Sequence, residues 1–72
     1  MSQETDPWQM AAECTRAIEA TGDLTQREML THLRSLWINL ANERHLLGDP
    51  EFANQIAASA QIHAGLVPPT AQ

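Results

Sequence analysis

Apolar residues recur along this chain at three- and four-residue intervals in three separate stretches, and each stretch reads as an amphipathic helix. In the first, Met10, Cys14, Ala17 and Ile18 share a face with Ala11 beside them, while Gln9, Glu13, Arg16 and Glu19 point away. In the second, Met29, Leu30, Leu33, Leu36, Trp37, Leu40, Ala41 and Leu47 form the broadest apolar face, opposed by Glu28, Thr31, Ser35, Asn39 and Glu43. In the third, Phe52, Ile56, Ala60, Ala64 and Val67 make the core stripe, with Ala53 and Ala57 flanking it. Small alanines permit a short distance between helix axes, so the third helix is expected to sit close to the second.

Two Gly-Asp pairs, Gly22-Asp23 and Gly48-Asp49, separate the stretches. Glycine supplies a left-handed residue that ends a helix without steric cost, and Asp or a nearby Thr can cap the next one. Asp6 with Pro7 and Gln9 marks the first start, and Asp49 with Pro50 and Glu51 marks the third. For the second, Thr25 and Glu28 spell a T-x-x-E capping box, with Leu24 and Met29 as a hydrophobic staple. That helix is expected to run about 22 residues, or about 33 Å. Pro68-Pro69 stops the third helix.

Residues 1–5 are expected to be a disordered N-terminus and 68–72 a flexible tail, leaving 6–67 as a single domain. Short turns predict an all-α fold of three antiparallel helices, up-down-up, with the longest in the middle. The alternative is a hairpin of helices two and three, with helix one packed on a second subunit.

Composition narrows the function. An 8.0 kDa domain buries only about 60% of its unfolded surface, and small domains gain stability from disulfides, metals or self-association. The single cysteine excludes an intrachain disulfide, and no Cys/His spacing suits zinc. Self-association remains, so the expected partner is a second copy in a homodimer, or another, unidentified protein. The net charge is −5, and the four cations, Arg16, Arg27, Arg34 and Arg44, are scattered. Nucleic acid and anionic membranes are therefore not expected as partners. No apolar run approaches the roughly 18 residues that cross a bilayer, and the N-terminal residues lack an export pattern. With one thiol, these features predict a cytoplasmic protein.

Several residues are candidates for function. Ile38 falls with Thr31, Ser35 and Asn42, opposite the main apolar face. Leu46 and Ile62 are also off-face, and Trp37 lies toward the face's edge. Trp37, Ile38, Leu46 and Ile62 thus form a candidate interaction surface. Cys14 and His63 both face inward and fall at the same level of an antiparallel stack, near Leu33 and Trp37. A thiolate beside an imidazolium is a potential nucleophile. However, no Asn or Asp is placed to orient the imidazole and no oxyanion hole is visible, so both are read as buried packing residues.

Arg44 falls within the apolar arc of helix two. It either snorkels, its stem covering the core, or forms a buried ion pair with Glu51, Asp6 or Glu4. Glu28 and His32 stand four apart, as helical metal ligands can, but lack further ligands. His45 suits the C-terminal end of helix two.

The segment Leu36-Trp37-Ile38-Asn39-Leu40-Ala41-Asn42-Glu43, followed by Gly48-Asp49-Pro50-Glu51-Phe52-Ala53 and Ile62-His63-Ala64, resembles short, uncharacterised helical proteins of bacteria. The resemblance implies a helical hairpin and a bacterial cytoplasm, and carries no activity or cofactor. The residues themselves predict a self-associating, non-enzymatic interaction or regulatory protein with no catalytic, cofactor-binding or metal residue. The alternative is a DNA-binding helical transcription regulator, which three short helices can host but which the acidic charge opposes.

Overall fold

The computed structural model describes residues 5–43 and 48–67. Its described residues form three helices, α1 (Pro7–Ala20), α2 (Leu24–Asn42) and α3 (Pro50–Leu66), with no strand among them. The fold is all-α. None of these helices is long and apolar enough to cross a membrane. Of the terminal segments expected to be disordered, only Thr5 lies within the described residues, where it is half-buried.

Each helix begins on an aspartate. The Asp6 carboxylate accepts from Trp8 N at 3.0 Å and Asp49 from Glu51 N at 2.8 Å, each followed by proline in the first turn. In α2 the cap is Asp23, not the expected Thr25: its carboxylate accepts from Thr25 N at 2.9 Å and Gln26 N at 3.3 Å. Leu24 is already helical, which puts Thr25 inside the first turn. The expected staple is missing as well, since Leu24 is 73% and Met29 46% exposed. A charged, short acceptor two residues before the first free amide outcompetes a hydroxyl already committed to the helix.

The two Gly-Asp turns work differently. Gly48 has φ +99°, the left-handed conformation glycine favours. Gly22 does not: α1 ends on Thr21 in extended conformation, and side chains hold the turn. Asp23 N donates to Thr21 Oγ1 at 3.2 Å, and the Arg27 guanidinium donates to the Thr21 carbonyl at 3.1 Å. One turn is therefore set by backbone freedom and the other by threonine and arginine.

The core contains Ala11 and Cys14 from α1, Leu30, Leu33, Trp37 and Leu40 from α2, Phe52 from α3, and Val67 just after it. α1 packs along α2 more extensively than α3 does. Thr21 with Gln26 at the turn, and Thr15 with Arg34 farther along, pair residues whose numbers run in opposite directions on α1 and α2. The Arg34 to Thr15 bond, Nε to Oγ1 at 2.8 Å, pins the middles of the two helices, while Thr15 Oγ1 in turn donates to the Ala11 carbonyl.

Three expectations about helix faces change. α2 has 19 residues, about 29 Å, and ends on a cap at Glu43. Leu46, Leu47, Arg44 and His45 lie outside the described residues. In α3 the buried positions are Phe52, Ser59 and His63, whereas Ala64 is exposed. Trp37 is not at an edge but in the centre of the core, with no exposed surface. Ile38 is half-buried and packed against that core. It stands one turn beyond Arg34, whose guanidinium reaches Thr15 of α1, so packing of the helices half-covers a position that an isolated helix would leave exposed.

The two glycines should respond oppositely to alanine, since neither has a neighbour within 4 Å of the added methyl. Gly48→Ala must force a side chain into the left-handed region and should cost about 1 kcal/mol. Gly22→Ala should stabilise by about 0.4–1 kcal/mol by restricting the unfolded chain. Asp23→Ala should cost about 1 kcal/mol and Thr25→Ala much less. Urea unfolding of the four variants reads all of these.

Candidate functional site

Two features outside ordinary packing are candidates for function: a polar cluster where the three helices meet, and an apolar groove between α2 and α3. The cluster is centred on His63, three residues from the end of α3 and 7% exposed. Its Nδ1 accepts from the Trp37 indole Nε1–H at 3.1 Å, and its Nε2 lies 2.8 Å from Glu13 Oε1. The Cys14 Sγ stands 3.8 Å from the same Nδ1. The Trp37 and His63 rings meet edge to face, with centroids 5.8 Å apart.

The expected levelling of Cys14, His63 and Trp37 is what the structure contains. Its missing member was Glu13, which the periodicity of α1 places among the outward residues. Glu13 is half-buried and holds the imidazole from the side opposite Trp37. A signal was available: an inward histidine needs partners for both nitrogens, and Glu13 adjoins Cys14 in sequence at the same level. Arg34 and Thr15 were missed for a similar reason. As one of four scattered cations, Arg34 has no periodic signal that marks it as a link between helices.

The donor inventory fixes the tautomer. An indole N–H can only donate, so Nδ1 must carry a lone pair, and the ring proton sits on Nε2, donating to Glu13. Every buried side-chain nitrogen and oxygen among the described residues then has a partner.

This arrangement superficially has the order of a thiol–imidazole–carboxylate triad, but its geometry opposes nucleophilic chemistry. The Nδ1 lone pair that would take the thiol proton is already engaged by Trp37. Burial pushes the Cys14 thiol from 9.0 up to about 11, the Glu13 carboxylate adds to the rise, and Arg34 opposes it. A neutral thiol with no exposed surface is neither a nucleophile nor reachable by a substrate. Among the described residues no three of His, Cys, Asp and Glu are placed to hold a metal ion. Glu28 and His32 instead border the second feature.

That feature is an open groove of about 310 Å³ between α2 and α3. Met29, Leu33 and Leu36 line it from α2 and Ile62 and Leu66 from α3, with Glu28 and His32 supplying its polar lining. Met29 is 46% and Ile62 49% exposed. Of the four residues expected to form an interaction surface, the structure therefore brings only Ile62 to this groove; Trp37 and Ile38 belong to the core, and Leu46 lies outside the described residues. Met29, expected in the core, is the groove's other exposed wall.

The thiol's environment makes stability depend on pH in a definite direction. A thiol that ionises near 9.0 in the unfolded chain and near 11 in the fold leaves the unfolded state with fewer bound protons between those values. Stability is therefore full below pH 9.0 and falls as pH rises toward about 11. The chain has no lysine or tyrosine, the other side-chain types whose ordinary range overlaps that window. Stability should drop by a few kcal/mol across it, and Cys14→Ala should flatten the profile; urea unfolding at stepped pH checks both. Native Cys14 should also react with iodoacetamide at least about 100-fold more slowly than in the unfolded chain.

No protein family, curated protein or solved structure matches this chain, so the functional reading rests on the two sites themselves.

Proposed function

We propose that the protein is a small, non-enzymatic helical interaction module, and that it associates with a second copy of itself through the α2–α3 groove. The observation that carries the reading is the pairing of exposed Met29 and Ile62 across an apolar groove of about 310 Å³. Apolar side chains half open to water on facing helices gain transfer free energy when another surface covers them.

A second copy suits this groove for three reasons. The core is small and is stapled neither by a disulfide nor, among the described residues, by a metal, which leaves association as the available source of further burial. In a two-fold arrangement each groove meets the same groove, so Met29 and Ile62 serve as both filler and wall. Glu28 and His32, one turn apart on the rim, then meet in reverse order and bring opposite charges together when the imidazole is protonated. The chemistry of the cluster supports the non-enzymatic part, because the chain's one thiol is sealed and un-ionised. The DNA-binding alternative is weaker: a net charge of −5 repels a phosphate backbone.

Sedimentation velocity over a micromolar concentration series tests the association. The native protein should move from monomer toward dimer, and Ile62→Asp should remain a monomer while losing less than about 0.5 kcal/mol of stability, as an exposed position allows. A native protein that stays monomeric at high micromolar concentration overturns the reading. Ile38→Asp is unsuitable as a probe, because it places a charge against the core and should unfold the domain instead.

A further inference from the structure

The hydrogen bonds of the polar cluster are all satisfied in one protonation state of His63. Trp37 has no exposed surface, and its indole N–H has His63 Nδ1 as its acceptor. A second proton on the ring would have to sit on Nδ1, turning that acceptor into a donor that faces another donor. The buried indole would then lose its partner, which a protein interior penalises heavily. The bond to Glu13 has the opposite response: Nε2–H is the donor in both states, and a charged imidazolium strengthens it. One proton therefore weakens the link from α3 to α2 while reinforcing the link from α3 to α1.

Few other groups bear on that balance. From α1, Glu13 and Cys14 face the ring. From α2, Trp37 faces it but does not titrate, and Arg34 is close enough to influence Cys14. On α3 itself the other charged residue is Glu51, at the opposite end of the helix.

α3 is the element placed to respond. It packs on α2 less extensively than α1 does, and its described side-chain hydrogen bonds to the other helices all pass through His63. α1 and α2 keep their own link, Arg34 to Thr15. We propose that His63 is a proton-operated latch: protonation at Nδ1 frees the Trp37 indole and unseats α3 from α2, while α1 and α2 stay paired.

Nuclear magnetic resonance of the full chain carrying Trp8→Phe, which leaves Trp37 as the one indole, tests this directly. At about pH 8 the imidazole nitrogens should report the Nε2–H tautomer and the indole proton should be protected from exchange. Titration to about pH 5 should speed indole exchange about tenfold or more beyond its intrinsic pH dependence, as His63 protonates. Amides of α3 should shift with the same midpoint and those along the α1–α2 contact should not.

His63→Gln retains an acceptor for Trp37 and a donor for Glu13 but has no imidazole, so the step should vanish. Glu13→Gln keeps an acceptor for the Nε2–H, so the Nε2–H tautomer and the protected indole proton should both persist at about pH 8. An Nδ1–H tautomer at about pH 8, indole protection unchanged through the His63 titration, or a step that survives in His63→Gln would each overturn the latch. The tautomer and protection measurements need no variant at the cluster, so a failure of His63→Gln to fold leaves them decisive.

Discussion

A fully buried indole N–H must have an acceptor, and in this domain that requirement ties the three helices together. Trp37 is the largest fully buried side chain, and its ring sits among the leucines of the core. Its polar edge, however, cannot be left facing hydrocarbon. His63 meets it from α3, and Glu13 from α1 meets the other ring nitrogen. Apolar burial alone is indifferent to small shifts of one helix along another. A chain of two aligned hydrogen bonds is not, since a slide of one residue, about 1.5 Å, would spoil both. The leucines drive the helices together and the cluster fixes their register.

The start signals were legible because they are local. Asp6-Pro7 and Asp49-Pro50 cap α1 and α3 as read, through bonds to amides two residues on. The same local logic failed at α2, where Asp23 and Thr25 both have capping chemistry and a pattern match favours the longer motif. It failed again at Gly22, which shares a dipeptide with Gly48 but not its conformation. Thr21 and Arg27 hold that turn through a side-chain network whose partners stand two to six residues apart. Such bonds have no signature in periodicity.

The helical wheel treated each helix as if alone, and its errors follow from that. Ile38 is off the main face of α2, yet it is half-buried against the core. Met29 is on the main face, yet it stands half open on the groove between α2 and α3. Both errors have one cause: which arc of α2 is covered depends on where its neighbours lie, and a wheel drawn for one helix has no neighbours. Counting levels outward from the turns was more informative than faces for the polar cluster. It brought Cys14, Trp37 and His63 together because axial position depends only on rise per residue. It did not reach Glu13, whose place is set by what His63 lacks rather than by any pattern in α1.

α3 carries both the imidazole of the cluster and one wall of the groove. Ala53, Ala57, Ala58 and Ala64 are exposed, so much of the helix rests on alanine's intrinsic preference rather than on burial. Phe52, Ser59, His63 and Val67 alone anchor it by full burial. The two faces beside His63 are then energetically linked. Ile62 and Leu66 turn toward the groove while His63 turns toward Trp37, all within one turn and a half of the same helix. Anything seated in the groove braces the segment that carries the imidazole, and anything that loosens the imidazole moves the groove's wall. Linkage makes that relation reciprocal: an occupant that favours the seated helix must disfavour the second proton, and the proton must disfavour the occupant by the same free energy.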